Sequence, residues 1–158
     1  ESIIRDAYLK AKGITDEGNT ASYIPELAHV DPDKFGVHIT TIDQHNFGIG
    51  NCNEKFSIQS IAKVLSLSLA YTIVGDKIWE RVGVEPSGTA FNSLVQLEAN
   101  NGIPRNPFLN AGALVICDIL LSNLKHPKQD FLAFVRGITN NLSLKYSSRN
   151  RSSEKLWD

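Results

Sequence analysis

One stretch of alternating residues limits most strongly how this chain can fold. Residues 35–43, Phe-Gly-Val-His-Ile-Thr-Thr-Ile-Asp, alternate apolar with polar side chains, and residues 46–50 follow after a short polar connection. Alternation over this length predicts two strands joined as a β-hairpin. An isolated hairpin is only marginally stable and leaves its edges unpaired, so it needs further strands or a layer of helices.

The rest of the chain is typical of helices. Apolar residues recur at helical spacing over residues 2–12, and Gly and Pro separate the later helical stretches. The predicted helices after the hairpin cover residues 57–74, 76–82, 92–99, 110–124 and 128–139. We therefore expect an α+β chain that is mostly helical and has one hairpin.

The expected additional strands do not follow the hairpin. Residues 140–158 are polar and aperiodic, with too little apolar surface to offset the entropy of ordering. The sequence is therefore predicted to be part of a larger fold, or to be joined across missing residues. A small helical domain with a hairpin flap is the alternative interpretation.

Composition excludes several classes of partner. The chain has 158 residues, of which 42% are hydrophobic and 21% charged, which is ordinary for one globular domain. A net charge of -1 gives no electrostatic footprint for nucleic acid or an anionic membrane surface. We expect neither a nucleic-acid partner nor a membrane partner.

The cysteines and histidines indicate neither disulfides nor a metal. Cys52 and Cys117 lie far apart, and the apolar surroundings of Cys117 predict a buried free thiol, hence a reducing compartment such as the cytoplasm. The four histidines lack metal-ligand spacing: His29, His38, His45 and His126. No metal and no cofactor are predicted.

The pattern Ser-x-x-Lys offers a candidate nucleophile and base. It begins at Ser60, Ser122 and Ser152, and so short a motif has low specificity. The second occurrence falls where a helix ends, and the third lies in the polar tail. Only Ser60, with Lys63 three residues later, opens an apolar helical stretch.

The start of a helix would suit this chemistry. If Ser57 caps the helix, Ser60 lies in the first turn, where backbone N–H groups lack intrahelical acceptors and one can face a reacting oxygen. The helix dipole and burial against apolar neighbours would favour a neutral Lys63 amine, which could take the serine proton; the expected neighbours are Ile61, Val64 and Leu67. Alternatively, Ser60 only helps to cap a core helix and Lys63 extends to water.

Four segments together resemble the serine-dependent glutaminase family, and more closely its bacterial members. They are Ala-Ser-Tyr-Ile-Pro-Glu-Leu at 21–27, Phe-Ser-Ile-Gln-Ser-Ile-Ala-Lys at 56–63, Val-Gly-Val-Glu-Pro-Ser-Gly at 82–88 with Phe-Asn-Ser-Leu at 91–94, and Ile-Pro-Arg-Asn-Pro-Phe-Leu-Asn-Ala-Gly-Ala at 103–113. The resemblance covers roughly residues 1–140, which we assign to one glutaminase-like region. Residues 141–158 form a polar tail or adjoin missing residues.

The resemblance implies a β-lactamase/transpeptidase-like α+β fold, an antiparallel sheet with packed helices, present here only in part. The family's remaining strands come from a second half that this sequence lacks. The implied reaction is hydrolysis of L-glutamine to L-glutamate and ammonia through an acyl-serine intermediate, without a cofactor. Family members commonly self-associate, so a homo-oligomer is expected.

The resemblance also implies roles for individual residues. Ser60 is the nucleophile, Lys63 the base and Tyr23 a catalytic tyrosine, while Gln59, Ser60, Asn110 and Asn150 bind substrate. Taken alone, Tyr23 could be a packing anchor, and Asn110 could cap helix 110–124. Asn150 matches only the end of its motif, since the family carries a glutamate seven residues earlier where this sequence has Ser143.

Two other hypotheses remain open at this point. A penicillin-binding or β-lactamase-type enzyme shares Ser-x-x-Lys, but its Ser-Asp-Asn and Lys-Thr-Gly motifs do not occur in this sequence. The chain could also be a non-catalytic fragment that acts as an interaction module. Within the glutaminase interpretation, Arg105 in Pro-Arg-Asn-Pro is expected to support its loop and not to touch substrate.

Overall fold

The computed structural model describes residues 1–14, 18–88, 90 and 101–146. The chain divides into two compact units, with the boundary between Ser57 and Ile58. We call the part before the boundary the hairpin unit and the part after it the helical unit. The predicted helix 92–99 and the predicted site residue Asn150 lie outside the described residues.

The hairpin unit contains the predicted first helix and the predicted strands. Helix α1 spans Ser2–Lys12 and the short helix α2 spans Pro25–Ala28. Strands β1 (Gly36–Thr40) and β2 (Asn46–Gly50) pair antiparallel, with Val37 opposite Ile49 and Ile39 opposite Phe47. The hairpin and the helix over residues 2–12 are therefore confirmed.

Helix α1 packs against the hairpin through an aromatic pair. Tyr8 is buried, and its ring stacks on that of Phe35 with 5.0 Å between centroids. Gly50 has a φ of +70°, and a Cβ there would lie 2.3 Å from the Phe35 carbonyl oxygen and 2.5 Å from the Tyr8 hydroxyl. Only glycine accepts both this conformation and this close approach.

The described part of the helical unit contains two 3-10 turns and three α-helices. A 3-10 turn at Gln59–Ile61 leads into α3 (Ala62–Val74), and a second 3-10 turn covers Gly75–Glu80. Helices α4 (Asn110–Asn123) and α5 (Pro127–Thr139) follow. The predicted helix over residues 76–82 is thus a 3-10 segment, because Gly75, with a φ of +56°, ends α3 and starts a new turn.

The core of the helical unit lies between α3, the second 3-10 turn and α4. Its buried members are Leu69, Ala70, Ile78, Val82, Ile116, Ile119 and Leu120. Further apolar side chains from α3, α4 and α5 pack around this cluster. This arrangement brings the start of α3 and the loop before α4 into one region of the unit.

Helices α3 and α4 are apolar on nearly every face. The core covers only one side of each, and the opposite sides leave large apolar residues exposed: Val64, Tyr71, Leu114 and Leu121. Cys117 is also exposed, so the prediction of a buried thiol is wrong, although both cysteines are free thiols. Without a polar face, the sequence of such a helix does not indicate which side packs.

No helix among the residues that the model describes combines the length and the apolar character needed to cross a bilayer.

Candidate active site

Ser60 lies in the 3-10 turn that opens α3. The residue before this turn is Ile58, whose carbonyl accepts a hydrogen bond from the Ile61 N–H at 2.9 Å. The prediction that Ser57 caps the helix is therefore wrong, because residues 55–58 are not helical and the first turn starts at Gln59. Ser60 is nevertheless in the first turn and its side chain is exposed, as a nucleophile requires.

Gln59, directly before Ser60, has an unusual backbone conformation. Its φ is +44°, in the left-handed region that costs an L-residue roughly 1–2 kcal/mol. Such strain persists only where the surroundings impose it, and it is concentrated at functional sites. The strained residue and the candidate nucleophile are neighbours, so this turn has the character of a site rather than of an ordinary helix start.

Lys63 reaches polar acceptors, not an apolar wall. Its Nζ donates to the Phe108 carbonyl oxygen at 2.9 Å and to Asn110 Oδ1 at 2.7 Å. The expected burial against Ile61 and Val64 is wrong, since these side chains are 57% and 50% exposed. The alternative in which Lys63 simply extends to water also fails to describe an amine held by two fixed acceptors.

These two contacts suit a group that exchanges a proton. A neutral lysine amine has two N–H donors and one lone pair, and the ammonium has three donors. The Phe108 carbonyl and Asn110 Oδ1 can accept two N–H bonds in both states. Proton uptake and release at Nζ can then leave both of these contacts unbroken.

The loop before α4 is organised by Asn106. Its Oδ1 accepts hydrogen bonds from the N–H groups of Phe108 (3.0 Å) and Leu109 (3.2 Å), and its Nδ2 donates to the Glu85 carbonyl at 2.8 Å. The sequence analysis did not single out Asn106. The available signal was an asparagine shortly before a predicted helix, where its side chain commonly bonds to the backbone two residues on.

Asn110 does not cap α4, which was the alternative to its predicted role in substrate binding. Leu109 is the N-cap residue, and Asn110 is the first residue of the helix. The alternative role as a cap is therefore wrong, because Asn110 already lies inside the helix and its side chain meets Lys63 across 47 residues of sequence.

Gly112 allows α4 to lie directly against this loop. A Cβ at residue 112 would lie 2.0 Å from the Asn106 carbonyl oxygen and 2.9 Å from Pro107 Cα. Both are backbone atoms that cannot rotate away. The absence of a side chain at this position therefore sets how close Asn110 comes to Lys63.

Arg105 supports the other side of the loop. Its Nη1 lies 3.7 Å from Glu85 Oε2, and its carbonyl accepts the Glu85 N–H at 2.9 Å. The neighbouring Gly83 N–H donates to the Pro104 carbonyl at 2.8 Å. These contacts agree with the interpretation of Arg105 as loop support.

Neither Tyr23 nor Asn150, the remaining predicted site residues, is among the described contacts of Lys63. Tyr23 lies in the turn before α2 in the hairpin unit, and at 82% exposure it is not a packing anchor. Asn150 is outside the described residues. Among the residues that the model does describe, no group of three or more His, Cys, Asp and Glu side chains could hold a metal ion.

Comparison with known proteins assigns the family. The family model for Glutaminase matches residues 18–157, so the chain belongs to the glutaminase family. Among curated relatives, the glutaminase of Saccharophagus degradans is 60% identical over 131 residues, covering 83% of this chain and 43% of the relative. The glutaminase of Christiangramia forsetii is 54% identical over 138 residues, covering 87% of this chain and 45% of the relative.

Solved structures confirm the fold class. A probable glutaminase, YbaS, superposes with a TM-score of 0.88 at 29% identity, covering 98% of this chain and 50% of that one. A Bacillus glutaminase crystallised in 4.3 M NaCl gives a TM-score of 0.77 at 30% identity, covering 96% and 48%. The predicted β-lactamase-like α+β fold, present in part, is therefore confirmed. The chain spans about half the length of the relatives that it matches.

Proposed function

We propose that the complete protein is a glutaminase that hydrolyses L-glutamine to L-glutamate and ammonia through an acyl-serine intermediate. The observation that carries this proposal is the placement of Lys63, which lies at the start of α3, directly after the turn that contains Ser60. Its amine donates hydrogen bonds to the Phe108 carbonyl and to Asn110 Oδ1. Membership of the glutaminase family supports the same chemistry.

In the first step, the Ser60 hydroxyl attacks the side-chain amide carbon of glutamine. Lys63 takes the hydroxyl proton at Nζ as the general base. The Ser60 backbone N–H supplies one donor to the oxyanion that forms. The second oxyanion donor is expected from the part of the relatives' length that this chain does not span.

Ammonia then leaves with a proton returned from Lys63, and water hydrolyses the acyl-serine by the reverse sequence of proton transfers. The resemblance assigns Tyr23 to proton delivery, and Gln59 and Asn150 to binding of the amino-acid end of the substrate. Asn110 keeps its Nδ2 donor for substrate, because its Oδ1 already accepts from Lys63.

The decisive experiment compares two serines of the same helical segment in the complete protein. Ser60→Ala should lower ammonia release from glutamine at least about a thousand-fold, because it removes the nucleophile. Ser68→Ala is the matched control, since its exposed hydroxyl only bonds back to the Val64 carbonyl at 2.8 Å. Both variants should keep the wild-type melting temperature, and glutamine turnover by Ser60→Ala within a few-fold of wild type would refute the proposal.

Assay of the 158-residue chain alone separates the enzyme from the non-catalytic fragment. With half of the relatives' length and one oxyanion donor, the chain by itself should release ammonia at least about a hundred-fold more slowly than the complete protein. Equal rates would show that the chain contains a sufficient site. Asparagine should be a poor substrate in both assays if the site is built for glutamine.

We also propose that the protein forms a homo-oligomer and acts in the cytoplasm. The first proposal follows from the family resemblance, and the second is supported by two cysteines that are both free thiols. Light scattering on the purified protein and cell fractionation test the two proposals separately.

A further inference from the structure

We propose that Asn106 is a positioning residue for Lys63, acting through the peptide group that joins Phe108 to Leu109. This inference rests on the proposed function only in that Lys63 is the base. Asn106 touches neither Ser60 nor Lys63 in any contact described above. Its effect would be transmitted by one rigid backbone unit.

That peptide group is hydrogen-bonded at both ends. Its N–H, from Leu109, donates to Asn106 Oδ1 at 3.2 Å, and its C=O, from Phe108, accepts from Lys63 Nζ at 2.9 Å. A trans peptide is planar and holds its N–H and C=O in opposite directions, and the chain has no cis peptide bond in the described residues. By fixing the N–H, Asn106 therefore aims the carbonyl at the Lys63 amine.

The same hydrogen bond also governs the second acceptor. Leu109 is the N-cap residue of α4, and Asn110 follows as its first residue. Rotation of the peptide group between Phe108 and Leu109 would turn the start of α4 and move Asn110 Oδ1, which lies 2.7 Å from Lys63 Nζ. Asn106 thus orients the two acceptors described above, the Phe108 carbonyl and Asn110 Oδ1.

The two ends of the Asn106 side chain have separable roles. Oδ1 accepts from the loop N–H groups, whereas Nδ2 donates to the Glu85 carbonyl and ties the loop to the segment around residue 85. Asn106→Asp keeps the acceptor and loses the donor, and Asn106→Ala loses both. A purely structural anchor through Glu85 would make the two variants behave alike.

The test measures the reactivity of Lys63 directly in the full chain. Acetylation by N-hydroxysuccinimidyl acetate is followed by peptide mass spectrometry at several pH values. Exposed Lys77 serves as the internal reference. Asn141→Ala is the control variant, because Asn141 Oδ1 makes a similar local bond to the Ser143 N–H at 3.0 Å in another loop.

In Asn106→Ala, the acetylation rate of Lys63 should be about five-fold higher than in the wild type, because about one net hydrogen bond no longer restrains the amine. Asn106→Asp and Asn141→Ala should stay within about two-fold of wild type. An unchanged rate in Asn106→Ala overturns the proposal. Equal acceleration in both Asn106 variants also overturns it and assigns the residue to anchoring at Glu85.

Hydrogen exchange on the wild-type chain keeps the proposal testable if Asn106→Ala does not fold. The Leu109 amide should exchange at least about ten-fold more slowly than an unprotected amide, and exchange at the unprotected rate overturns the proposal.

In the complete protein, kcat should fall in Asn106→Ala and recover in Asn106→Asp, with KM for glutamine unchanged. If Ser60-dependent hydrolysis of glutamine is observed but the Lys63 acetylation rates do not change as expected, only the role of Asn106 is rejected. If the acetylation rates change as expected but the protein does not hydrolyse glutamine, only the proposed function is rejected.

Discussion

Replacing Gly112 by alanine should both destabilise the helical unit and release Lys63. The added Cβ would lie 2.0 Å from the Asn106 carbonyl oxygen, so the loop must move by about 1.4 Å to restore an ordinary 3.4 Å contact. Such a shift would take the Lys63 contacts of 2.7 and 2.9 Å beyond hydrogen-bond range. Overpacking against backbone costs about 1–3 kcal/mol, which corresponds to a melting temperature lower by about 2–12 °C.

Gly137 provides a matched control with the opposite sign. It lies inside α5, and a Cβ there would have no neighbour within 4 Å. Gly137→Ala should therefore raise the free energy of unfolding by about 0.5–1 kcal/mol, because alanine loses less entropy in a helix than glycine does. Thermal unfolding by circular dichroism measures both variants, and Lys63 acetylation measures the loop. A Gly112→Ala variant that melts with the wild type and acetylates at the wild-type rate would refute the packing argument.

Two further predictions concern the strained turn and the exposed thiol. Gln59→Gly should raise the free energy of unfolding by about 0.5–1 kcal/mol, because glycine accepts the φ of +44°. Denaturant titration measures the effect, with Gln44→Gly, at a φ of +65° in the hairpin loop, as the comparison. A loss of stability in Gln59→Gly alone would contradict the assignment of strain to this residue. Although Cys117 is exposed as a residue, its neighbours remove part of the water around the thiol, and this partial desolvation raises its pKa. At pH 8 Cys117 should therefore react with iodoacetamide more slowly in the folded chain than in the urea-unfolded chain, because a smaller fraction is thiolate. A rate that rises with pH at a lower pH in the folded chain than in the unfolded chain would show that the direction of the pKa shift is wrong.

Periodicity predicted those described elements that have a regular pattern of apolar and polar residues. The hairpin alternates, α1 and α5 carry apolar stripes, and Gly or Pro stands near several boundaries. Where two nearby residues could each make the hydrogen bonds at the start of a helix, the sequence did not decide between them. Ser57 and Asn110 are both good capping residues, but the first turn begins two residues after Ser57, and Asn106 makes the backbone contacts expected of Asn110.

The sequence predicts candidate residues for the site but not the geometry around them. Ser60 and Lys63 are three residues apart, so a local pattern identifies them. The acceptors of Lys63 lie 45 and 47 residues further along, and one of them is a backbone carbonyl that carries no side-chain signal. Only folding brings the Phe108 carbonyl to the amine, so the apolar environment expected for Lys63 was wrong.

The apolar outer faces of α3 and α4 have a practical consequence for every measurement on this chain. Leu114 and Leu121 are 70% and 65% exposed and lie on the side of α4 that faces away from the core. Exposed stripes of this kind make protein concentration an experimental variable, because chains that meet can cover them. Rates and melting temperatures should be measured over a dilution series and extrapolated to low concentration, so that a variant's effect on the site is not confused with its effect on association.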